Sequence, residues 1–124
     1  MADIQRLRHL MGIIEKTSES TFDMSDWVVR NECGTVCCAL GWAAQDREFI
    51  KQGLTLTNSR PGYDTKPVYG DCSGYAAAQE FFDISVRDSY QLFSGPTIEE
   101  LEESSMSEKE YFLTSLDIFI EGAM

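Results

Sequence analysis

Three of the chain's four cysteines fall within Cys33-Gly34-Thr35-Val36-Cys37-Cys38, and the fourth, Cys72, stands apart. Thiolates bind zinc tightly, and four of them would complete a tetrahedron. The spacing argues against that chemistry. Structural zinc sites pair their ligands as C-x2-4-C knuckles on turns, whereas Cys37 and Cys38 are adjacent and, on the helix expected here, would point about 100° apart. His9 is the only imidazole in the chain. We therefore expect no metal and no cofactor, and read the cysteines as buried, inert thiols, an environment in which free cysteine is common.

Cys33 is the best candidate for a nucleophile, because it precedes the expected helix N-terminus, where the dipole favours thiolate. A reactive thiol also needs a base that is itself held in place. One histidine without an identifiable positioning partner does not supply it, and the chain reads as non-enzymatic. The same helix start, Gly34-Thr35, would present backbone N–H groups to a phosphate. Arg60, Tyr63 and Lys66, in the turn-rich run that follows, would be its helpers. No phosphate-loop or dinucleotide fingerprint accompanies them. Thr35, Arg60, Tyr63 and Lys66 thus define an alternative function, a small-ligand protein that sequesters a nucleotide signal.

The elements that would hold these residues are mostly helical. Asp3 reads as the N-cap of a first helix running to about Lys16, with Ile4, Leu7, Met11 and Ile14 on one face and Leu10 and Ile13 widening the stripe. Residues 17 to 21 read as a polar loop, and Phe22-Asp23-Met24-Ser25-Asp26-Trp27 as a short turn facing inward. From Thr35 to Ala44 there is no charge on any face, and an all-round apolar helix is one enclosed by the rest of the protein. We expect that helix over residues 35 to 45, capped by Thr35. Gly41 would cost it about 1 kcal/mol relative to alanine, so Cys37, Gly41 and Ala44 are expected to let another backbone come close.

Beyond Asp46 the helical pattern breaks. Leu54-Thr55-Leu56-Thr57 alternates like a strand, and Lys66-Pro67-Val68-Tyr69 can partner it across a turn-rich connection. An alanine-rich helix follows, capped by Asp71 or Ser73 and carrying Phe81 and Phe82. Ser85 with Asp88, Thr97 with Glu100 and Ser107 with Glu110 each read as a capping box. The last helix should bury Phe112, Leu116, Phe119 and Ile120. No repeat or linker divides the sequence. The expected fold is α-dominated α+β, a compact single domain (residues 1–124) of about five to six helices around a buried central helix, with a small β-hairpin.

Charge is the most unusual bulk property: 21 acidic residues against 10 basic ones give a formal net charge of -11. From residue 97 onward eight acids face Lys109 alone, a balance of -7 that leaves -4 for the remainder. Such a surface repels nucleic acid and anionic membranes and steers toward basic protein surfaces. Acidity of this kind also serves solubility on a plain solvated face. Glu99, Glu100, Glu102 and Glu103, with Glu108 and Glu110 on the next helix, are the candidates for a binding face. Ordered by their helix, they would set negative charges a few ångströms apart, much as phosphates stand along a duplex. Neither a secretory signal nor a spanning segment is evident, so a cytoplasmic location is expected.

Several of these runs together resemble an uncharacterised family of small proteins from bacteria and their phages. Its pattern is an FDM-x-x-W turn, a CGT-x-x-C-x-x-G-x-A stretch, and an alanine-rich helix ending FF-x-IS before a Leu-Phe pair. The matching residues are Phe22-Asp23-Met24-Ser25-Asp26-Trp27, Cys33-Gly34-Thr35-Val36-Cys37-Cys38-Ala39-Leu40-Gly41-Trp42-Ala43, Ala76-Ala77-Ala78-Gln79-Glu80-Phe81-Phe82-Asp83-Ile84-Ser85 and Leu92-Phe93. The resemblance covers about residues 20 to 95 and implies a shared fold rather than an activity. That family usually has glycine where Asp83 stands, and its final helix is less acidic. With the charge, it implies a phage-type accessory protein, a counter-defence inhibitor in the manner of anti-CRISPR proteins. Its acidic helices would mimic nucleic acid toward a basic host protein.

Overall fold

The computed structural model describes residues 2–22, 28–31, 34–56, 67–95 and 97–123, with the backbone alone for 28–31 and 34–37. Helix α1, Ile4–Lys16, begins as expected: the Asp3 carboxylate accepts the Arg6 N–H at 3.1 Å. It buries Leu7, Leu10 and Ile14, while Ile4, Met11 and Ile13 pack at the margin of the core. The polar loop after it contains a short 3-10 turn, Glu19–Thr21, capped by Ser18. Phe22 closes that turn and is buried; residues 23–27 of the expected inward turn lie outside the described residues.

The segment expected to be one helix from residue 35 to 45 is instead a strand followed by a short helix. Strands β1, Val28–Asn31, and β2, Gly34–Cys37, pair antiparallel with Val29 opposite Val36 and Arg30 opposite Thr35. Thr35 and Val36 are β-branched and lose side-chain freedom in a helix, and Val28-Val29 offers a matching extended partner only a few residues upstream. Helix α2 is Ala39–Ala43, and its N-cap is Cys38 rather than Thr35, the Sγ accepting the Gly41 N–H at 3.4 Å. Cys37 and Cys38 therefore do not share a helix. The buried central helix survives in shortened form, with Ala39, Leu40, Gly41 and Ala43 all enclosed.

Helix α3, Arg47–Lys51, has no counterpart in the expected pattern; Asp46 caps it by accepting the Phe49 N–H at 3.1 Å. Strand β3, Leu54–Leu56, pairs with β4, Pro67–Tyr69, as the alternation implied, and β5, Cys72–Ser73, adds a third antiparallel strand. Ser73 is thereby part of the sheet, and α4, Tyr75–Phe82, starts from Gly74 with no side-chain cap. It ends on Asp83 in the left-handed conformation, φ 52° and ψ 55°. Glycine is the residue that adopts such a cap at least cost.

Helices α5, Val86–Phe93, α6, Ile98–Ser104, and α7, Glu108–Ala123, complete the chain. Ser85 caps α5, while Thr97 and Glu100 form the full reciprocal box at α6. Among the described residues there are thus seven helices with a two-stranded and a three-stranded sheet. Helix α7 lies against α1, burying Phe112, Leu116 and Ile120.

A run of aromatic rings ties these elements into one core. Phe49 of α3 meets His9 of α1 and Phe81 of α4, each edge-on with centroids 4.8 Å apart. Phe82 stacks on Phe93 of α5 at 5.7 Å, and Phe93 reaches Phe112 of α7 at 6.0 Å. Phe49→Ala should lower stability by about 3–5 kcal/mol in urea unfolding; a loss below about 1 kcal/mol would show that the ring is not a core strut. Asp83→Gly should raise stability by roughly 0.5 kcal/mol by relieving the left-handed cap, read as a higher urea midpoint with an unchanged slope.

Candidate functional site

The acidic face begins with the forces that make α6. Thr97 Oγ1 accepts the Glu100 N–H at 3.1 Å, the Glu100 carboxylate accepts the Thr97 N–H at 3.3 Å, and Glu99 and Glu100 sit at the positive end of the helix dipole. Ser105, left-handed at φ 57°, stops the helix. No residue of α6 is buried. Leu101 and Ser104 are half-covered on the side toward the protein, whereas Glu99, Glu102 and Glu103, spaced i, i+3, i+4, occupy the outer face and are exposed. None of these three makes a hydrogen bond or ion pair among the described residues. Ile98, 77% exposed, stands on the same face.

Glu100 plays a different part. Its carboxylate accepts the Tyr111 hydroxyl of α7 in a short hydrogen bond, which pins α6 to α7. This bond, together with those from Thr97, holds the Glu100 carboxyl below its ordinary pKa, and the same carboxylate pushes the Tyr111 phenol up. Glu108 and Glu110 belong to the first turn of α7. Ser107 donates to Glu19 at 3.0 Å and to Glu110 at 3.3 Å, drawing Glu110 into the helix start. Lys109 does not neutralise the face, because its ammonium donates to the Glu15 carbonyl of α1 at 3.1 Å. Of the six acids expected on one surface, Glu99, Glu102 and Glu103 stand exposed on α6, Glu100 and Glu110 are engaged at the starts of α6 and α7, and Glu108 lies in the first turn of α7.

Of the alternative ligand site, only Thr35 is among the described residues. Thr35 lies in β2 rather than at a helix start, and Arg60, Tyr63, Lys66 and Cys33 lie outside the described residues. Cys38 and Cys72 are free thiols; Cys38 is 1% exposed, closed to any substrate. Beside it, Tyr75 stacks on Tyr90 with ring centroids 4.4 Å apart and accepts the hydrogen bond of the buried Ser89 hydroxyl on its carbonyl at 2.7 Å. Burial, helped by Cys38 and Tyr90, raises the Tyr75 pKa. No cluster of three potential metal ligands occurs among the described residues, and no helix there is long and apolar enough to cross a membrane.

Two features were not anticipated from the sequence. One is a polar depression of 360 Å³ lined by Asp3, Arg6, His9, Glu48 and Gln52. Arg6 spends its donors there on the Phe81 carbonyl at 2.7 Å and Gln52 at 2.8 Å, with its guanidinium 4.1 Å over the Phe81 ring. His9 bonds Asp46 at 2.8 Å. These bonds join α1 to α3 and α4 and are structural. The other is a pair of grooves beside α7, lined in part by Asp88, Ile118 and Phe119. The exposed Ile118 was the available sequence signal for them, an isoleucine off the buried stripe of its helix.

The chain matches no family model, and no significant similarity links it to a curated protein or to a solved structure. The Tyr111 contact can be tested directly. Tyr111→Phe should return the Glu100 carboxyl toward its ordinary value in an NMR pH titration. Because that pKa is depressed in the folded chain, the contact stabilises at pH above the ordinary carboxylate range, and its contribution is lost as pH falls through the depressed value. A Glu100 titration identical in both proteins would contradict the assignment.

Proposed function

We propose that the protein is a non-enzymatic inhibitor that engages a basic, nucleic-acid-binding surface of a host protein through the outer face of α6 and the adjoining start of α7. The observation that carries this reading is the isolation of charge. Glu99, Glu102 and Glu103 have no side-chain partner among the described residues, on a helix that contributes nothing buried, and the neighbouring lysine is turned away toward α1. The helix already fixes the backbone beneath each carboxylate, so meeting a cation costs side-chain entropy alone, and the array binds a basic groove better than a loose acidic tail would. Ile98, exposed among the acids, gives the face an apolar contact that a duplex lacks and so favours a protein partner.

A role in counter-defence is the setting that the resemblance to small phage and bacterial proteins supports, with a guide-dependent or other nucleic-acid-binding defence complex as the partner. Such an inhibitor needs no cofactor and no catalytic group. It would act in the host cytoplasm by occupying the channel that the nucleic acid would take.

Capture from a nuclease-treated bacterial lysate tests the reading. Immobilised wild-type protein should retain a stoichiometric partner at low salt and release it at high salt, as expected of multiple screened charge contacts. The Glu99→Lys, Glu102→Lys, Glu103→Lys variant should retain none. The same partner held equally by both proteins would contradict the role given to α6.

A further inference from the structure

The grooves beside α7 extend the proposed interface and say what kind of segment it takes. The first, 610 Å³, lies between the start of α5 and the end of α7, lined by Asp83, Ile84, Asp88, Ile118 and Gly122 among others. The second, 530 Å³, reaches α6, lined by Asp88, Gln91, Glu100, Tyr111 and Ser115 among others. Asp88, Ile118 and Phe119 are common to both, so the isoleucine borders two neighbouring hollows. It is 65% exposed, a large apolar side chain with no cover among the described residues.

The sign of the rim decides what could cover it. Asp88 lines both hollows and Glu100 the second, and no lysine or arginine does so among the described residues. Glu100 is held ionised by Tyr111 at the α6 end. Small residues, Ser115 and Gly122, leave the flank of α7 low on both sides of Ile118, and a Cβ added at Gly122 would meet no atom within 4 Å. Two hollows that share an exposed isoleucine and carry carboxylates in their lining fit an amphipathic helix that sets two apolar side chains, one turn apart, beside Ile118 and carries lysine or arginine at the flanks. A second copy of this chain is a poor occupant, because a two-fold contact would set the same acidic rim against itself.

We infer that the α5–α7 groove is a docking site for a basic amphipathic helix of the partner protein. The inference rests on the acidic-face reading for the partner's overall charge, and on the groove for its apolar stripe. Binding then has two parts, a salt-sensitive attraction by α6 and a salt-resistant apolar contact at Ile118.

Two synthetic helical peptides of equal charge separate these parts: one with leucine at i, i+3, i+4 and i+7 among lysines, the other with alanine at those positions. The leucine peptide should bind at least about tenfold tighter, as burial of a few apolar side chains allows. Ile118→Ser, whose exposed position spares the core, should erase that preference, and Gly122→Arg, which puts a cation into the groove, should weaken the leucine peptide. Replacing Glu99, Glu102 and Glu103 by glutamine should weaken both peptides alike. A leucine preference that persists when those replacements have no effect supports the groove and sinks the acidic-face reading alone. Equal affinity for the two peptides, or a leucine preference untouched by Ile118→Ser, would overturn the groove. So would a homodimer in sedimentation that Ile118→Ser dissolves.

Discussion

Ring-to-ring packing through the centre of the molecule is the interaction on which the rest depends. His9, Phe49, Phe81, Phe82, Phe93, Phe112 and Phe22 follow one another in contact, drawing one side chain or more from α1, α3, α4, α5, α7 and the 3-10 turn. Each aromatic pair contributes somewhat beyond its buried area. The main effect here is geometric: elements far apart in sequence are fixed in orientation by rigid side chains with few rotamers. Arg6 lies over Phe81 and Tyr69 meets its edge at 5.1 Å, which seats the three-stranded sheet against the same ring.

Helix α6 is the exception, and its exclusion from the core has consequences for function. It buries no side chain and is held by its capping box, by Leu101 and by the Glu100 to Tyr111 bond. A helix so attached has a whole face available for other contacts. Charge is distributed to match. Residues 67–124 hold twelve acids against Arg87 and Lys109, so -10 of the chain's -11 lies there, while the other eight basic residues belong to residues 1–66. Self-repulsion on this scale destabilises the folded state. It is offset by a core that needs none of those residues, which leaves the acids of the outer face open to a partner's cations.

How much of this the sequence made legible depended on whether the deciding forces were local. Asp3, Ser85 and Thr97 declared their helices because a cap is a contact between neighbours three residues apart. Phe112, Leu116 and Ile120 were equally plain from their period, while Phe119, expected to be buried with them, lies half-buried at the margin of the core. The stretch after Cys33 misled because its lack of charge is equally compatible with a buried strand. Pairing with Val28-Val29 decided the matter, and that is a contact between segments. Helix α3 was missed because it is five residues long, too short to show a period. In the candidate site, the exposure of Glu99, Glu102 and Glu103 followed from helical spacing, but the diversion of Glu100 to Tyr111 and of Lys109 to Glu15 depends on how α6, α7 and α1 meet. The groove around Ile118 was hidden for the same reason: a hollow is a property of two helices.

Mutual exclusion is the central claim, since a protein that presents carboxylates in place of phosphates must compete with nucleic acid for one surface. The direct measurement takes the partner captured from lysate, loads it with its nucleic acid, and titrates in this protein while sedimentation velocity separates the species. The account predicts that nucleic acid is displaced in proportion to the protein added, with no species containing all three components, and that charge reversal of the α6 face abolishes displacement. A stable ternary complex, with nucleic acid still bound at saturating protein, would contradict it.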